Sequence, residues 1–269
     1  MGISRRGESR RWRGRRRLEL GVDMKVLVTF AVGAEFGPWK RIRRFEAMRV
    51  PMGHGGNGPR WYRSKIGNVT VDACLTGISV KEYNFEYLLN EKPDICISSG
   101  LAGALKESLK IGDVVVARET VLEQGNEIET CDPGLVELAE QTGAKTANRF
   151  VMTKHVLVTH EQKQKIAGLG DVVEMESQKI AKRAHEKSIP CVAIRSISDE
   201  YHEDLPLDFE DARDRNGQIH LGRIMVQLVK RPGQLPALIR FGRRSKSAAT
   251  RLAEFLENFI VHIPSKMAP

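Results

Sequence analysis

Two acidic residues, Glu176 and Asp199, follow short stretches with the composition of buried strands. The residues between them, 178–189, carry apolar side chains at helical spacing and end before Pro190. This order predicts strand, helix and strand, which delivers both carboxylates to the end of a sheet, where open α/β sheets bind ligands. A carboxyl group there can accept hydrogen bonds from a ligand when ionised, or transfer a proton to it when protonated.

The rest of the chain alternates between strand-like and helix-like segments, which predicts an α/β fold. A chain of 269 residues that is 41% apolar can bury one sizeable core, so we expect a single domain. No apolar run is long enough to cross a bilayer. The patterns predict strands at 24–32, 69–76, 94–98, 114–117, 150–159 and 191–194, helices at 36–50, 80–90, 135–142, 178–189 and 219–229, and a hairpin tip at 53–59.

The four cysteines have no CxxC spacing, and three of them lie inside apolar strand-like runs. Such cysteines are typical of buried thiols in a reducing compartment, so we expect a cytoplasmic protein. His155 and His160 are five residues apart on a segment predicted to be extended, which does not suit a shared metal ion. We therefore expect neither a metal site nor a cofactor.

The net charge of +9 is concentrated at the two ends of the chain. Residues 1–23 hold eight arginines and three acidic residues, and they lack the apolar run of a secretory signal. They are either a basic arm for nucleic acid or anionic lipid or a disordered extension ahead of Met24, and we favour the extension. Residues 215–251 hold nine Lys or Arg residues and no acid. We expect the domain to span 24–269, with 205–269 as a basic helical C-terminal extension.

The stretch 98–105 contains two glycines directly after a predicted strand. Glycine lets a backbone approach a ligand closely, with its amides free to donate hydrogen bonds. We therefore predict a turn that binds substrate through Gly100, Leu101, Ala102 and Gly103.

Five motifs occur in a characteristic order. They are Gly-Ala-Glu at 33–35, Ser-Gly-Leu-Ala-Gly-Ala-Leu at 99–105, Ile-Gly-Asp-Val-Val-Val at 111–116, Glu-Met-Glu-Ser at 174–177 and Arg-Ser-Ile-Ser-Asp at 195–199. Together they resemble the purine/uridine phosphorylase superfamily, which includes methylthioadenosine/S-adenosylhomocysteine nucleosidases. The resemblance implies a three-layer fold in which helices flank a central mixed sheet, cleavage of the N-glycosidic bond of a nucleoside, and a homodimer.

The resemblance also implies a role for each acidic residue. Asp199, with Ser198 beside it, would act as the general acid on the purine. Glu176 would accept hydrogen bonds from the ribose hydroxyls, and Met175 would pack on the sugar. Glu35 lies where nucleosidases of this family carry the glutamate that activates water. Without the resemblance, the sequence around the three acids is equally typical of turns or helix starts. Met175 would then be an ordinary core residue.

The base and the nucleophile match the family less closely. Family nucleosidases tend to place an aromatic residue near 155–159, where this chain offers Val156 and Leu157. Several phosphorylases place an arginine before the glycine stretch and a serine within it, and Ser98 and Leu101 occupy those positions here. Hydrolysis is therefore favoured, with inorganic phosphate as co-substrate if the protein is a phosphorylase. Remaining phosphate donors are Ser99, the amides of 100–103, Lys40 and Arg41.

The C-terminal part resembles hopanoid-associated phosphorylases, which remove adenine from an adenosylated lipid. One face of the last predicted helix is apolar, and basic residues lie near its start. Such a helix can contact an anionic membrane, or it packs on the core with its charges solvated, and we favour packing. The apolar face consists of Leu238, Phe241, Ala248, Leu252, Phe255 and Phe259.

A non-enzymatic alternative is a basic module that binds nucleic acid through 1–23 and 215–251. Neither stretch interleaves its basic residues with exposed aromatic ones, so we expect no specific nucleic-acid partner. The favoured prediction is an enzyme that cleaves a 5′-modified adenosine and releases adenine.

Overall fold

The computed structural model describes residues 24–51, 57–77, 83–124, 127–206, 233 and 235–267. Three predicted features lie outside these residues: the basic segment 1–23, most of the hairpin tip and the helix at 219–229. None of the helices in the described ranges has the length and apolar character needed to span a bilayer.

Ten strands and six helices make up the described part of the chain. In order they are β1 (Met24–Phe30), α1 (Gly33–Ile42), β2 (Glu46–Pro51), β3 (Asn57–Ile66), β4 (Val69–Leu75), α2 (Tyr83–Asn90), β5 (Ile95–Ala104), β6 (Val114–Leu122), β7 (Ile128–Thr130), α3 (Pro133–Gln141), β8 (Lys145–Met152), α4 (His160–Ile166), β9 (Val172–Glu174), α5 (Ser177–Glu186), β10 (Cys191–Asp199) and α6 (Leu235–Met267).

The strands form one mixed sheet in the order β10-β6-β8-β9-β5-β1-β4-β3-β2, with β7 paired to β6. Strand β10 pairs with β5 in parallel and with β6 in antiparallel orientation. The strands β5, β10, β6, β8 and β9 therefore close into a ring, and the other strands extend from β5. Closure leaves β10 hydrogen-bonded on both sides, which fixes the position of Asp199 at its end.

Helices cover both faces of the sheet. Side chains of α1, α3 and α6 share one apolar core with the sheet, and side chains of α2 and α5 share a second core on the opposite face. These cores explain the near-continuous apolar strands, since a strand that is covered on both faces buries every side chain. The predicted α/β fold, with helices on either side of a mixed sheet, is confirmed.

The C-terminal half of α6 is an integral part of the first core. Leu252, Leu256 and Phe259 are fully buried. Glu257 fastens the helix to α1, since its carboxylate accepts hydrogen bonds from Trp39 Nε1 at 2.9 Å and Arg43 Nε at 2.8 Å. The first three turns of α6, by contrast, are mostly exposed.

The predicted helix at 36–50 is wrong in its second half. Helix α1 begins earlier, at Gly33, and ends at Ile42, where Arg43 adopts extended backbone angles. Residues Glu46–Pro51 form β2, which pairs antiparallel with β3. The apolar residues of this segment fit helical spacing, but pairing with β3 satisfies the backbone within the sheet instead.

Two further element boundaries differ from the predictions. The expected glycine-rich turn at 98–105 is the continuation of β5, which runs to Ala104 and pairs with β10 and β9. The expected strand at 150–159 ends at Met152. Beyond it the Thr153 hydroxyl donates to the His155 carbonyl oxygen at 2.8 Å, and Thr159 caps α4.

The packing of α6 predicts a strong dependence of stability on its buried face. Phe259→Ala is expected to lower the free energy of unfolding by about 3–5 kcal/mol, because it removes a fully buried ring. Val261→Ala on the same helix is the control, because Val261 is 54% exposed and its truncation should cost less than about 0.5 kcal/mol. Urea denaturation measures both, and equal losses would contradict this packing.

Candidate active site

A cavity of about 340 Å³ opens at the ends of β5, β9 and β10. Glu35, Glu176 and Asp199 all line it, although they come from three separate parts of the chain. Other parts of the wall come from the segment before α1, from the residues that follow β8, from Leu205 and from the first turns of α6. The structure thus brings the three predicted catalytic acids to one cavity.

Most of the predicted substrate-binding residues line the same cavity. Gly100 is the exception, because it lies behind the Glu35 carboxylate instead of on the cavity wall. The lining residues from the predicted set are Leu101, Ala102, Gly103, Val156, Leu157, Met175 and Ser198.

Glu35 is the third residue of α1, and its carboxylate is held by backbone amides. Oε2 accepts hydrogen bonds from the N–H groups of Ala31 at 3.0 Å and Val32 at 3.2 Å. Oε1 accepts one from the N–H of Leu101 at 2.9 Å. The first two bonds satisfy amides that a helix start leaves unpaired, so α1 and β5 together fix this carboxylate at the cavity.

The two glycines of β5 make room for carboxylates rather than for a turn. A Cβ on Gly100 would lie 2.9 Å from Glu35 Oε1, and one on Gly103 would lie 2.8 Å from Asp199 Oδ2. Gly100 also has φ of +152°, which L side chains rarely adopt. These positions therefore exclude any side chain that would push the acids away from the strand.

Asp199 is held at both oxygens. Its Oδ1 accepts a hydrogen bond from the Ser198 hydroxyl at 2.7 Å. Its Oδ2 lies 2.7 Å from the Nζ of Lys163 on α4, and both side chains are buried. The predicted neighbour Ser198 thus orients the carboxylate, and a lysine that was not predicted to lie there forms an ion pair with it.

Glu176 stands at the start of α5 beside a buried ion pair. Arg195 Nη2 lies 2.7 Å from Glu174 Oε2 and 3.8 Å from Glu176 Oε2. The same Glu174 oxygen accepts hydrogen bonds from the N–H groups of Glu176 at 2.9 Å and Ser177 at 2.8 Å. Glu174 therefore points inward and caps the helix.

Burial shifts the proton affinity of two of these acids. It raises the pKa of Glu35, although hydrogen bonds from Leu101 and the charge of Arg195 oppose the shift. Burial and the neighbouring Glu174 raise the pKa of Glu176 to about 8, again against Arg195. The Glu176 carboxyl group therefore binds its proton more tightly than an ordinary glutamate does.

Sequence patterns gave Arg195 and Lys163 no role in the site. Arg195 did leave a signal, since a charged residue inside a buried apolar strand needs a buried partner. Lys163 left none, because the polar sequence of α4 is typical of a solvated helix. Phe241 and Ser245 of α6 also line the cavity, at a distance in sequence that no motif spans.

The sequence had left several groups as phosphate donors. Lys40 is exposed and lies over the ring of Tyr62, 4.4 Å from its centroid, and Arg41 is exposed as well. Neither they nor Ser99 line the cavity, and the Leu101 amide is bonded to Glu35. Within the described ranges no cluster of three His, Cys, Asp or Glu side chains has the arrangement needed to hold a metal ion.

Comparison with known proteins identifies the family of the chain. The sequence matches the family model of the phosphorylase superfamily over residues 25–230. The chain belongs to the phosphorylase superfamily. It is an enzyme of the N-ribosyl hydrolase or nucleoside phosphorylase class.

Curated superfamily members include two similar nucleosidases. A 5'-methylthioadenosine/S-adenosylhomocysteine nucleosidase of Shewanella loihica is 30% identical over 195 residues, which cover 62% of this chain and 79% of that protein. The enzyme of the same name from Pseudoalteromonas translucida is 29% identical over 213 residues, covering 69% and 90% of the two chains.

Solved structures of the superfamily share the fold. The 5'-methylthioadenosine/S-adenosyl homocysteine nucleosidase of Helicobacter pylori superposes with a TM-score of 0.67 at 18% identity, over 90% of this chain and all of that one. A futalosine hydrolase mutant from the same organism gives 0.66 at 17% identity, over 89% of this chain and all of that one.

The raised pKa of Glu176 predicts how stability depends on pH. Between its ordinary value of 4.5 and about 8, the folded state keeps a proton that the unfolded chain has released. The free energy of unfolding should therefore fall as the pH rises through this window, and Glu176→Gln should reduce the fall. Urea denaturation at about pH 5.5 and about pH 8.5 measures the difference.

Glu127→Gln is the control for this measurement. Glu127 is exposed, and its pairing with Lys182 lowers its pKa, so it titrates below the window. This variant should keep the wild-type pH dependence. An unchanged slope in Glu176→Gln would contradict the proton assignment.

Proposed function

We propose that the protein hydrolyses the N-glycosidic bond of a 5′-modified adenosine of the methylthioadenosine or S-adenosylhomocysteine type and releases adenine. The names of the similar curated nucleosidases support this substrate class. The cavity supports the chemistry, since three carboxyl groups from separate elements converge on it.

We further propose a cytoplasmic homodimer, which is consistent with the family resemblance and with the four free, buried cysteines.

The position of Glu35 favours water over phosphate as the nucleophile. Its carboxylate already occupies the amides of Ala31, Val32 and Leu101, which would otherwise be free to bind an anion. The nearest buried guanidinium, Arg195, is bonded to Glu174 at 2.7 Å. A phosphate ion would have to displace one carboxylate and approach another, whereas a water molecule can donate a hydrogen bond to Glu35.

The proposed reaction gives each of these residues one role. Glu35 accepts a proton from water as the oxygen attacks C1′ of the ribose, and Asp199 hands a proton to the purine as the C1′–N9 electron pair leaves with the base. Glu176 binds the ribose hydroxyls, and Met175 packs on the sugar. Val156 and Leu157 cover the base with apolar side chains, in the place where family nucleosidases tend to carry an aromatic residue.

Substitution of the acids tests this assignment. Asp199→Asn is expected to lower kcat by about 100-fold or more, because the general acid is lost. Glu35→Gln is expected to do the same, because its amide group cannot accept the proton from water. Glu200→Gln is the control, since Glu200 pairs with Lys110 at 3.0 Å on the surface. Release of free base is measured with methylthioadenosine, S-adenosylhomocysteine, adenosine and inosine.

Each substrate is assayed with and without millimolar phosphate. Hydrolysis predicts free ribose sugars as products and no acceleration by phosphate. Strict phosphate dependence, or release of base from none of the four nucleosides, would reject the proposal.

A second candidate function is the phosphorolytic removal of adenine from an adenosylated hopanoid lipid at a membrane. One observation favours a lipid: Leu235 and Ile239 are each 47% exposed on the first turns of α6. Arg240 and Arg243 are exposed beside them, while Phe241 on the same turns lines the cavity. Apolar and basic side chains at a cavity mouth suit an anionic lipid surface.

Cosedimentation with liposomes that contain anionic lipid tests the membrane contact. The double variant Arg240→Glu and Arg243→Glu is expected to weaken binding by about tenfold or more, because it reverses two charges. The matched control is Arg41→Glu with Arg44→Glu, which reverses two exposed charges near α1. Absence of wild-type binding at low salt, or equal loss in both double variants, would reject membrane contact.

A further inference from the structure

The amino group of Lys163 is buried next to the carboxyl group of Asp199. Its side chain is completely buried on α4. Nζ lies 2.7 Å from Asp199 Oδ2 and donates to the carbonyl oxygens of Glu200 at 2.5 Å and Glu203 at 3.1 Å. The segment that follows β10 thus folds around this one nitrogen.

The three oxygens around Nζ fix how many protons the pair holds. An ammonium group has three N–H donors and no lone pair, and each donor here has an oxygen to bond. A neutral amine has two N–H donors and a lone pair, so it fits the same three oxygens only if Asp199 carries the third proton and donates it to the amine. In either arrangement one proton lies between Lys163 Nζ and Asp199 Oδ2, where the departing purine can draw on it.

We propose that Lys163 stores this proton and that Asp199 relays it, an inference that rests on the proposed cleavage of a purine nucleoside. As the C1′–N9 bond breaks, its electron pair passes to the purine, whose N7 becomes a strong base. The single proton between Lys163 Nζ and Asp199 Oδ2 passes through Asp199 to N7, so Lys163 ends as a neutral amine and Asp199 as a carboxylate. The proton that water gives to Glu35 restores the balance through solvent after adenine leaves.

The neighbouring charged groups are engaged elsewhere. The Glu200 carboxylate pairs with Lys110 at 3.0 Å, and the Glu203 carboxylate pairs with Arg244 of α6 at 2.6 Å. His160, one turn earlier on α4, contacts the Tyr201 carbonyl oxygen through Nδ1 at 2.9 Å. Glu35 and Glu176 line the same cavity as Asp199. Of these groups, Asp199 is the one whose side chain touches the Lys163 ammonium.

Lys163→Met and Lys163→Arg separate proton storage from positioning. Methionine removes the charge, whereas arginine keeps charge and donors but does not release a proton near neutral pH. Both variants are expected to lower kcat on methylthioadenosine by about 100-fold. Lys165→Met is the matched control, because Lys165 is exposed on the same helix and should leave kcat unchanged. Thermal unfolding verifies that each variant is folded.

Two readouts distinguish this relay from a structural contribution. The first readout compares the rates on two substrates, methylthioadenosine and the 4-nitrophenyl glycoside of the same sugar. The nitrophenolate leaving group of the glycoside departs without a proton. Activity on the glycoside should stay within about threefold of wild type in both Lys163 variants. The second readout is pH. The rate of Lys163→Met relative to wild type should rise as the pH falls, because Asp199 then takes its proton from solvent, while that of Lys163→Arg should not.

The outcomes are distinct. Equal losses on both substrates, or a wild-type rate of Lys163→Arg on methylthioadenosine, would overturn the relay and leave the proposed function intact. A wild-type protein that releases no adenine from methylthioadenosine would overturn the proposed function itself, which is a separate result.

Discussion

The buried ion pair between Arg195 and Glu174 is the constraint on which the site depends. Both side chains are almost completely removed from solvent, so either charge alone would be strongly unfavourable. The pair joins the middle of β10 to the end of β9, and Glu174 in turn caps α5. Glu176 is the residue at that cap. The position of the Glu176 side chain therefore depends on an ion pair beneath it.

Charge balance around the cavity leaves little positive potential for an added anion. Each buried cation among the described residues is already matched to a carboxylate. The cost of the surplus acid is reduced because burial and the neighbouring Glu174 raise the pKa of Glu176, which favours its neutral form. The described groups concerned are Arg195 and Lys163 as cations, and Glu35, Glu174, Glu176 and Asp199 as acids.

Sequence patterns predicted the elements whose structure depends on interactions between neighbouring residues. Strand and helix patterns gave the α/β order, and the family motifs led to the acids at the cavity. The patterns failed where residues far apart in sequence determine the structure. The sequence of Glu46–Pro51 predicts a helix, but the segment pairs with β3 as a strand. The stretch 98–105 predicts a turn, but it pairs with neighbouring strands of the sheet. Lys163 could not be predicted, because its charge is matched by residues that follow it by 36 positions or more. Such pairings exist only in three dimensions.

The glycines of β5 have a consequence for how this enzyme can change over evolution. Because a Cβ at Gly100 or Gly103 would contact the carboxylate of Glu35 or Asp199, substitution at either position displaces an acid of the cavity. The side chains of Val156, Leu157 and Phe241 line the cavity without such a contact to these glycines. Changes in the shape of the cavity are therefore expected to arise from exchanges in those walls and not at the two glycines.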